Sequence, residues 1–248
     1  LNEDNDSYKD RKRKELEKII FENNIGLIKM EVIRNLKPSN NFLKEVRKLA
    51  TKNNIVLIFD ECTSGFRENF GGIHLNYKVN PDIAIFGKAL GNGYAITAVV
   101  GTKNVMEAAQ KSFISSTFWT ERIGVSAALK TLEIMEKNKS WEIITNVGKK
   151  IRMIWSDIAD DNNLSINISG LSSLSSFNFV SKNNLKYKTL ITQEMLKNGI
   201  LASNSVYTSI AHTNECLVKY SDNLNEIFKI IKSCEKSVKN IDTLIEGP

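Results

Sequence analysis

Histidine and cysteine are scarce in this sequence, and both shortages narrow its chemistry. Two histidines, His74 and His212, leave little room for a zinc centre or for Ser-His-Asp hydrolysis. Each is expected as a surface or packing residue. Three cysteines, Cys62, Cys216 and Cys234, are far apart and odd in number. They make neither a disulfide framework nor a CxxC metal site, so no metal is expected and a reducing, cytoplasmic setting fits best. No apolar run approaches the ~20 residues of a membrane span, so no membrane partner is expected. Charge is mild: 34 basic against 28 acidic residues give +6. The densest basic cluster, Arg11-Lys12-Arg13-Lys14, has Glu15 and Glu17 beside it. It reads as a solvated helix face, and no nucleic-acid partner is expected.

What remains is a chain of 248 residues, 42% hydrophobic, long enough for one large or two modest domains. Leu16, Ile19, Ile20 and Asn23 follow helical spacing, and GLIKMEVI at 26–33 reads as a strand. Pro38-Ser39-Asn40 makes a turn with a ready N-cap, and Phe42, Val46, Leu49 and Ala50 mark one helix face. IVLIF at 55–59, DIAIF at 82–86 and ITAVVG at 96–101 are further strands. Continuous apolar strands joined by helices mean a parallel sheet covered on both sides. Helices are expected over 103–111, 121–137 and 140–160. Residues 165–180 turn Ser/Asn-rich with short strands, followed by a helix near 187–197 and a strand near 206–210. An apolar stripe from Leu217 to Ile241 predicts a long closing helix that includes Val238. A domain boundary falls near 125–140, dividing the chain into 1–130 and 131–248.

In NIVLIFDECTSGFR an apolar strand runs into Asp60 and Glu61. Ligands of an open parallel sheet bind at such carboxyl ends. The pair could equally cap the next turn. It could also supply the metal ligand and water-orienting acid of a P-loop ATPase fragment, but GxxxxGK[ST] is absent. Lys88 lies in FGKALGNG, directly after DIAIF and 28 residues beyond Asp60. Alone it reads as an exposed lysine, yet Gly87, Gly91 and Gly93 argue for a closely approached backbone. The third glycine of a dinucleotide fingerprint is missing, because position 96 is Ile. A lysine and an aspartate on neighbouring strand ends suit pyridoxal 5'-phosphate (PLP): one forms a Schiff base with the aldehyde, the other keeps the pyridine nitrogen protonated.

IVLIFDECTSGFR, followed by NPDIAIFGKALGNGYAITAVVG, resembles class III PLP-dependent aminotransferases, the group that includes glutamate-1-semialdehyde aminomutase. The resemblance implies a fold-type-I α/β architecture: the second half of a large parallel or mixed-sheet domain, then a small α+β domain. It makes Asp60 the pyridinium partner and Lys88 the Schiff-base lysine and general base. Cys62 falls where the family packs a small side chain on one face of the ring, and plain burial is the alternative. ISSTFWTERIG at 114–124 looks like the segment that crosses a homodimer interface. Thr117 would then donate to the phosphate of the partner's cofactor, unless 115–117 is only a Ser/Thr turn. Phe-Trp-Thr-Glu-Arg stands at 118–122, where the mutase pattern has Ser-Gly-Asn-Pro. This favours transfer between a small amino donor and a carbonyl acceptor over an aminomutase reaction. Nothing resembles the first half of the family's large domain. The expectation is a C-terminal fragment, inactive and weakly cofactor-binding alone, or else a non-catalytic remnant. Substrate identity is not legible.

Overall fold

The computed structural model describes residues 5–33, 37–38 and 41–246. The chain divides between Trp141 and Glu142 into two compact units. No helix among the described residues is long and apolar enough to cross a membrane.

The first unit opens with helix α1 (Asn5–Glu22), strand β1 (Leu27–Glu31), helix α2 (Phe42–Lys52) and strand β2 (Val56–Asp60). Ser39 and Asn40, expected to cap α2, lie outside the described residues; the helix starts after Asn41. Of the face expected from the spacing, Val46 and Ala50 are buried while Phe42 and Leu49 are half-buried; Leu43 is the third buried residue. Strands β3 (Ile83–Phe86) and β4 (Ala98–Gly101) follow, and the sheet order is β1-β2-β3-β4. β2 is the most enclosed strand, with Leu57 and Phe59 fully buried. Asp82 fixes its start: one carboxylate oxygen accepts from Arg47 of α2 at 2.7 Å and from the Leu57 N–H at 2.8 Å.

β1, β2 and β3 are parallel, but β4 is antiparallel to β3. The sheet is therefore mixed, as the family resemblance allows; the all-parallel reading of the apolar pattern fails at its last strand. The connection from 87 to 97 holds only a single turn, Lys88–Leu90, in place of a crossover helix. A chain without a crossover returns antiparallel. β4 and β1 are also not covered on both sides: β4 is apolar but largely exposed, and β1 has no buried residue. A short helix α3 (Lys103–Met106) continues as a 3₁₀ turn, and α4 (Ile123–Asn138) closes the unit. Val125 and Leu129, apolar at helical spacing, are more than half exposed on α4.

The second unit is built from helix α5 (Ser140–Asp161), strands β5 (Ile166–Leu171) and β6 (Leu174–Phe179), helix α6 (Asn184–Lys197), strand β7 (Ser205–Tyr207) and helix α7 (Asn214–Glu235). Its antiparallel sheet has the order β5-β6-β7. Trp155, Phe177, Tyr187 and Phe228 form a core with no exposed surface. The Trp155 indole N–H donates to the Tyr220 hydroxyl at 2.8 Å, so burial leaves no orphan donor there. The closing helix is shorter than its apolar stripe. It ends at Glu235, Ser237 turns left-handed at φ +58°, and Val238 is exposed. Trp155→Ala should cost about 3–5 kcal/mol, the usual penalty for emptying a large buried aromatic site. The urea midpoint of the second unit reads this, and a loss under about 1 kcal/mol would mean that the site collapses or was loosely packed.

Candidate active site

The parallel register sets Glu31 opposite Asp60, and Asp60 opposite Ile85. Asp60 therefore emerges at the carboxyl end of β2. On the neighbouring strand β3 the chain passes Phe86 and Gly87 and presents Lys88. Lys88 itself is left-handed at φ +46°. A bulky residue rarely takes this conformation, and such strain persists where surroundings enforce it. Here the enforcing contacts are short: the Lys88 carbonyl accepts from Gly91 at 3.2 Å and Asn92 at 3.0 Å, and buried Leu90 anchors the turn. Gly87 has a separate reason. A Cβ there would stand 3.4 Å from the Cys62 sulfur and 3.3 Å from the Thr97 methyl. The backbone thus passes close over Cys62 with no side chain between.

Asp60 and Lys88 are both engaged. One Asp60 oxygen accepts the Cys62 N–H at 3.2 Å; the other meets the Lys29 ammonium at 3.0 Å. Burial pushes the Asp60 carboxyl up, but Lys29 and the Cys62 N–H outweigh it and hold the group below its ordinary value. The Cys62 thiol is pushed up by burial and then by Asp60, while the Lys88 and Lys29 ammonium groups pull it down. Both lysines therefore bear on the same thiol. Lys88 Nζ donates to the Thr63 hydroxyl at 2.5 Å.

Glu61 has a different task from Asp60. It is completely buried. It accepts from the His74 backbone N–H at 3.0 Å, lies 2.8 Å from His74 Nδ1, and accepts from the Ser64 hydroxyl. Burial raises its carboxyl, yet the His74 ring, Ser64 and backbone donors outweigh this and hold it low. This overturns Glu61 as a water-orienting acid, since a fully buried, fully partnered carboxylate cannot reach a substrate water. Of the two expectations for His74, packing holds: it is buried as a partner of this carboxylate and packs against Phe59. Together they tie the chain after β2 to residues 72–74. Because the Glu61 carboxyl is held low, its contribution to stability is complete above the usual range near ~4.3 and is lost as pH falls through the lower folded value. Glu61→Gln should lower stability by about 1–3 kcal/mol near neutrality, with the gap from wild type narrowing below that range. Urea midpoints between acid and neutral pH test this; a gap independent of pH would remove the charge from the explanation.

Asp60, Cys62 and Lys88 thus lie close to one another. Thr117 is not joined to them: it is exposed in the turn at 117–120, and among the described residues no hydrogen bond links it to any of the three. Lys88 borders a concavity of about 970 Å³, also lined by Tyr94, Thr97, Ser116, Phe118 and Trp119. Phe118 and Trp119 are 77% and 69% exposed, so this wall is apolar and uncovered in the chain alone. Two contributors escaped the sequence reading, Lys29 and Thr63. The single basic residue in LIKME is the available signal for Lys29; Thr63 gives none.

The donor set fits PLP. An amine and a carboxylate held anionic flank Cys62, and the Gly87 backbone packs against that thiol with no side chain between. The cofactor's ring nitrogen, aldehyde and flat face need a carboxylate, an amine and a small wall in such an arrangement.

Comparison with known proteins follows the same line. The sequence model of a family described as Aminotransferase class-III matches residues 4–234. The 3-aminobutyryl-CoA aminotransferase of Cloacimonas acidaminovorans is 32% identical over 201 residues, 79% of this chain and 49% of that protein. The glutamate-1-semialdehyde 2,1-aminomutase of Nitrosopumilus maritimus is 32% identical over 243 residues, 88% of this chain and 57% of that protein. The chain therefore spans about half the length of these curated relatives. Among solved structures, the FumI protein of Sphingopyxis sp. MTA144 in its PLP internal aldimine form superposes with a TM-score of 0.82 at 19% identity, over 93% of this chain and 58% of that one. An ornithine aminotransferase from Plasmodium yoelii gives a TM-score of 0.76 at 22% identity, over 88% and 60%. At these identities the likeness shows the fold, that of fold-type-I PLP-dependent aminotransferases.

Proposed function

Because the chain belongs to the class III aminotransferase family, we propose that it carries the lysine and the aspartate of a PLP site. The whole protein then moves an amino group between a small amino compound and a carbonyl compound. The observation that carries this reading is the meeting of Asp60 and Lys88 around Cys62 at adjacent strand ends.

When bound, PLP supplies an aldehyde for amine exchange and a ring that accepts the electrons left at the substrate Cα. Asp60, held anionic, keeps the proton on the ring nitrogen. Cys62 forms a small wall against one ring face. Lys88 would hold the cofactor through Nζ, and the same amine, when free, would move the Cα proton. Thr63 offers that freed amine a resting partner, as its hydroxyl already accepts from Lys88 Nζ. Thr117 donates to the phosphate of the partner subunit's cofactor in a homodimer. The exposed Phe118, Trp119 and Val125 beside the site, with exposed Leu129 one turn further along α4, support such a partner, since a free apolar wall of this kind marks an interface. In this reading residues 1–130 are the second half of the cofactor domain, 131–248 are the small domain, and the setting is cytoplasmic. Phe-Trp-Thr-Glu-Arg at 118–122 supports transfer between two compounds over an internal shift.

The test is a half-reaction. The whole protein loaded with PLP is mixed with single amino donors in the absence of acceptor. One equivalent of carbonyl product and of pyridoxamine 5'-phosphate is expected per site from at least one donor. Rearranged amino product with no net pyridoxamine 5'-phosphate would select the mutase reaction, and no conversion of any donor would overturn the proposal.

A further inference from the structure

Asp60 has two oxygens, and both are taken before any ring arrives. One accepts the Cys62 N–H, at 3.2 Å, as part of the turn that follows β2. The other is 3.0 Å from the Lys29 ammonium. Lys29 sits on β1 in register with Ile58, two residues before Glu31, which is in register with Asp60. Residues two apart on a strand share a face, so Lys29 reaches diagonally across that face to the end of β2. It is the one charged residue between Ile28 and Met30 on a strand otherwise apolar until Glu31.

We propose that Lys29 competes with the cofactor's ring nitrogen for Asp60, and so is a positioning residue that loosens cofactor binding. This rests on the reading of Asp60 as the ring-nitrogen partner. The physical case is one of crowded charge. A protonated ring nitrogen and an ammonium are both cations, and one carboxylate can neutralise only one of them. If both stay, they repel; if one leaves, its hydrogen bond to Asp60 is lost. The backbone N–H of Cys62 cannot leave, because it is fixed by the turn. Lys29 can, because its side chain is 55% exposed and the Asp60 side chain only 24%. Lys29 therefore yields to water while the ring holds Asp60, and part of the ring's binding free energy goes into displacing it. Glu31, Cys62 and Lys88 are the other ionisable groups near this carboxylate. None of them supplies a second acidic oxygen at hydrogen-bond distance from Lys29 among the described residues.

Pyridoxamine 5'-phosphate is the probe, because it binds through ring and phosphate without attaching to Lys88. Its affinity for the cofactor-free whole protein is measured by fluorescence titration for wild type, Lys29→Met, Lys29→Gln, Asp60→Asn and Lys29→Met/Asp60→Asn. Lys29→Met should tighten binding about fivefold, the range set by a half-exposed ion pair of up to ~1 kcal/mol. Lys29→Gln, which keeps a polar side chain on the strand, should tighten it similarly and serves if the methionine variant misfolds. In the Asp60→Asn background the tightening should vanish. Unchanged or weaker binding in both Lys29 variants would overturn the competition. If Asp60→Asn still weakens binding in that case, the role of Asp60 survives the loss of this one. Equal affinity of wild type and Asp60→Asn would instead overturn the Asp60 reading, and the competition with it.

Discussion

Lys88→Ala is expected to remove covalent cofactor attachment and to bring amino transfer below detection. The lysine is asked to do two things, to carry the cofactor and to move a proton, and alanine can do neither. Loss of a positioned general base alone commonly costs 10²–10⁴-fold, and the loss of the attached state adds to it. Alanine is the informative substitution because it holds the backbone case constant. Lys88 sits at φ +46°, a conformation as unfavourable for alanine as for lysine. The fold around Gly87–Gly91 should therefore persist, and thermal stability should stay within about 1 kcal/mol of wild type, as for most substitutions away from the core. Borohydride reduction followed by peptide mapping supplies the readout. Label should appear on the peptide containing Lys88 in wild type and nowhere in the variant. Lys29 is the natural rival, being the other amine around Cys62. Label on Lys29, with turnover retained in Lys88→Ala, would sink the assignment.

The two strand-end residues could be read from sequence because each announces itself locally. An apolar run that stops at Asp60, and another that stops at Gly87-Lys88, need only one-dimensional information. The residues that complete the site need pairing register. Lys29 reaches Asp60 only because β1 and β2 are parallel with Glu31 opposite Asp60. Thr63 meets Lys88 across 25 positions. Glu61 and His74 meet across 13, and nothing in the histidine's neighbourhood signals a buried carboxylate. The direction of β4 escapes the apolar pattern for a related reason. Its apolar pattern is the same for either direction, and only the crossover-free geometry of 87–97 decides. The end of α7 shows the limit of periodicity itself. The stripe continues through Val238 and Ile241, but Ser237 turns left-handed and ends the helix first. Thr117 belongs to a third kind. Its proposed phosphate lies on another subunit, so a single chain leaves it exposed whatever its role.

Asp60→Asn should leave the cofactor bound more weakly and slow Cα proton removal by about 10²–10³-fold, the usual loss when one preorganised charge is removed from a reacting centre. Asparagine keeps the size of the side chain and one carbonyl oxygen for the Cys62 N–H, so the turn after β2 has no reason to rearrange. What it loses is the negative charge that favours a proton on the ring nitrogen. Without that proton the ring accepts electrons poorly, and the slow step is the one that delivers them. Stability should move little, because the pair broken by the change is half-exposed and Lys29 regains water. The pH dependence is a further check. Without cofactor, Lys29 and the Cys62 N–H hold the Asp60 carboxyl below its ordinary value of ~3.9; in the loaded protein the ring-nitrogen cation takes the place of Lys29, so the carboxyl stays paired with a positive charge. The charge is therefore present at every pH above that range, and the ratio of wild-type to variant rates should be flat from weakly acidic to weakly alkaline pH. A single-turnover experiment with an amino donor deuterated at Cα measures the step directly. The isotope effect should grow in the variant as proton removal becomes limiting. A variant rate within a few-fold of wild type, with an unchanged isotope effect, would return Asp60 to capping the turn after β2, and the pyridinium role would have to be carried elsewhere.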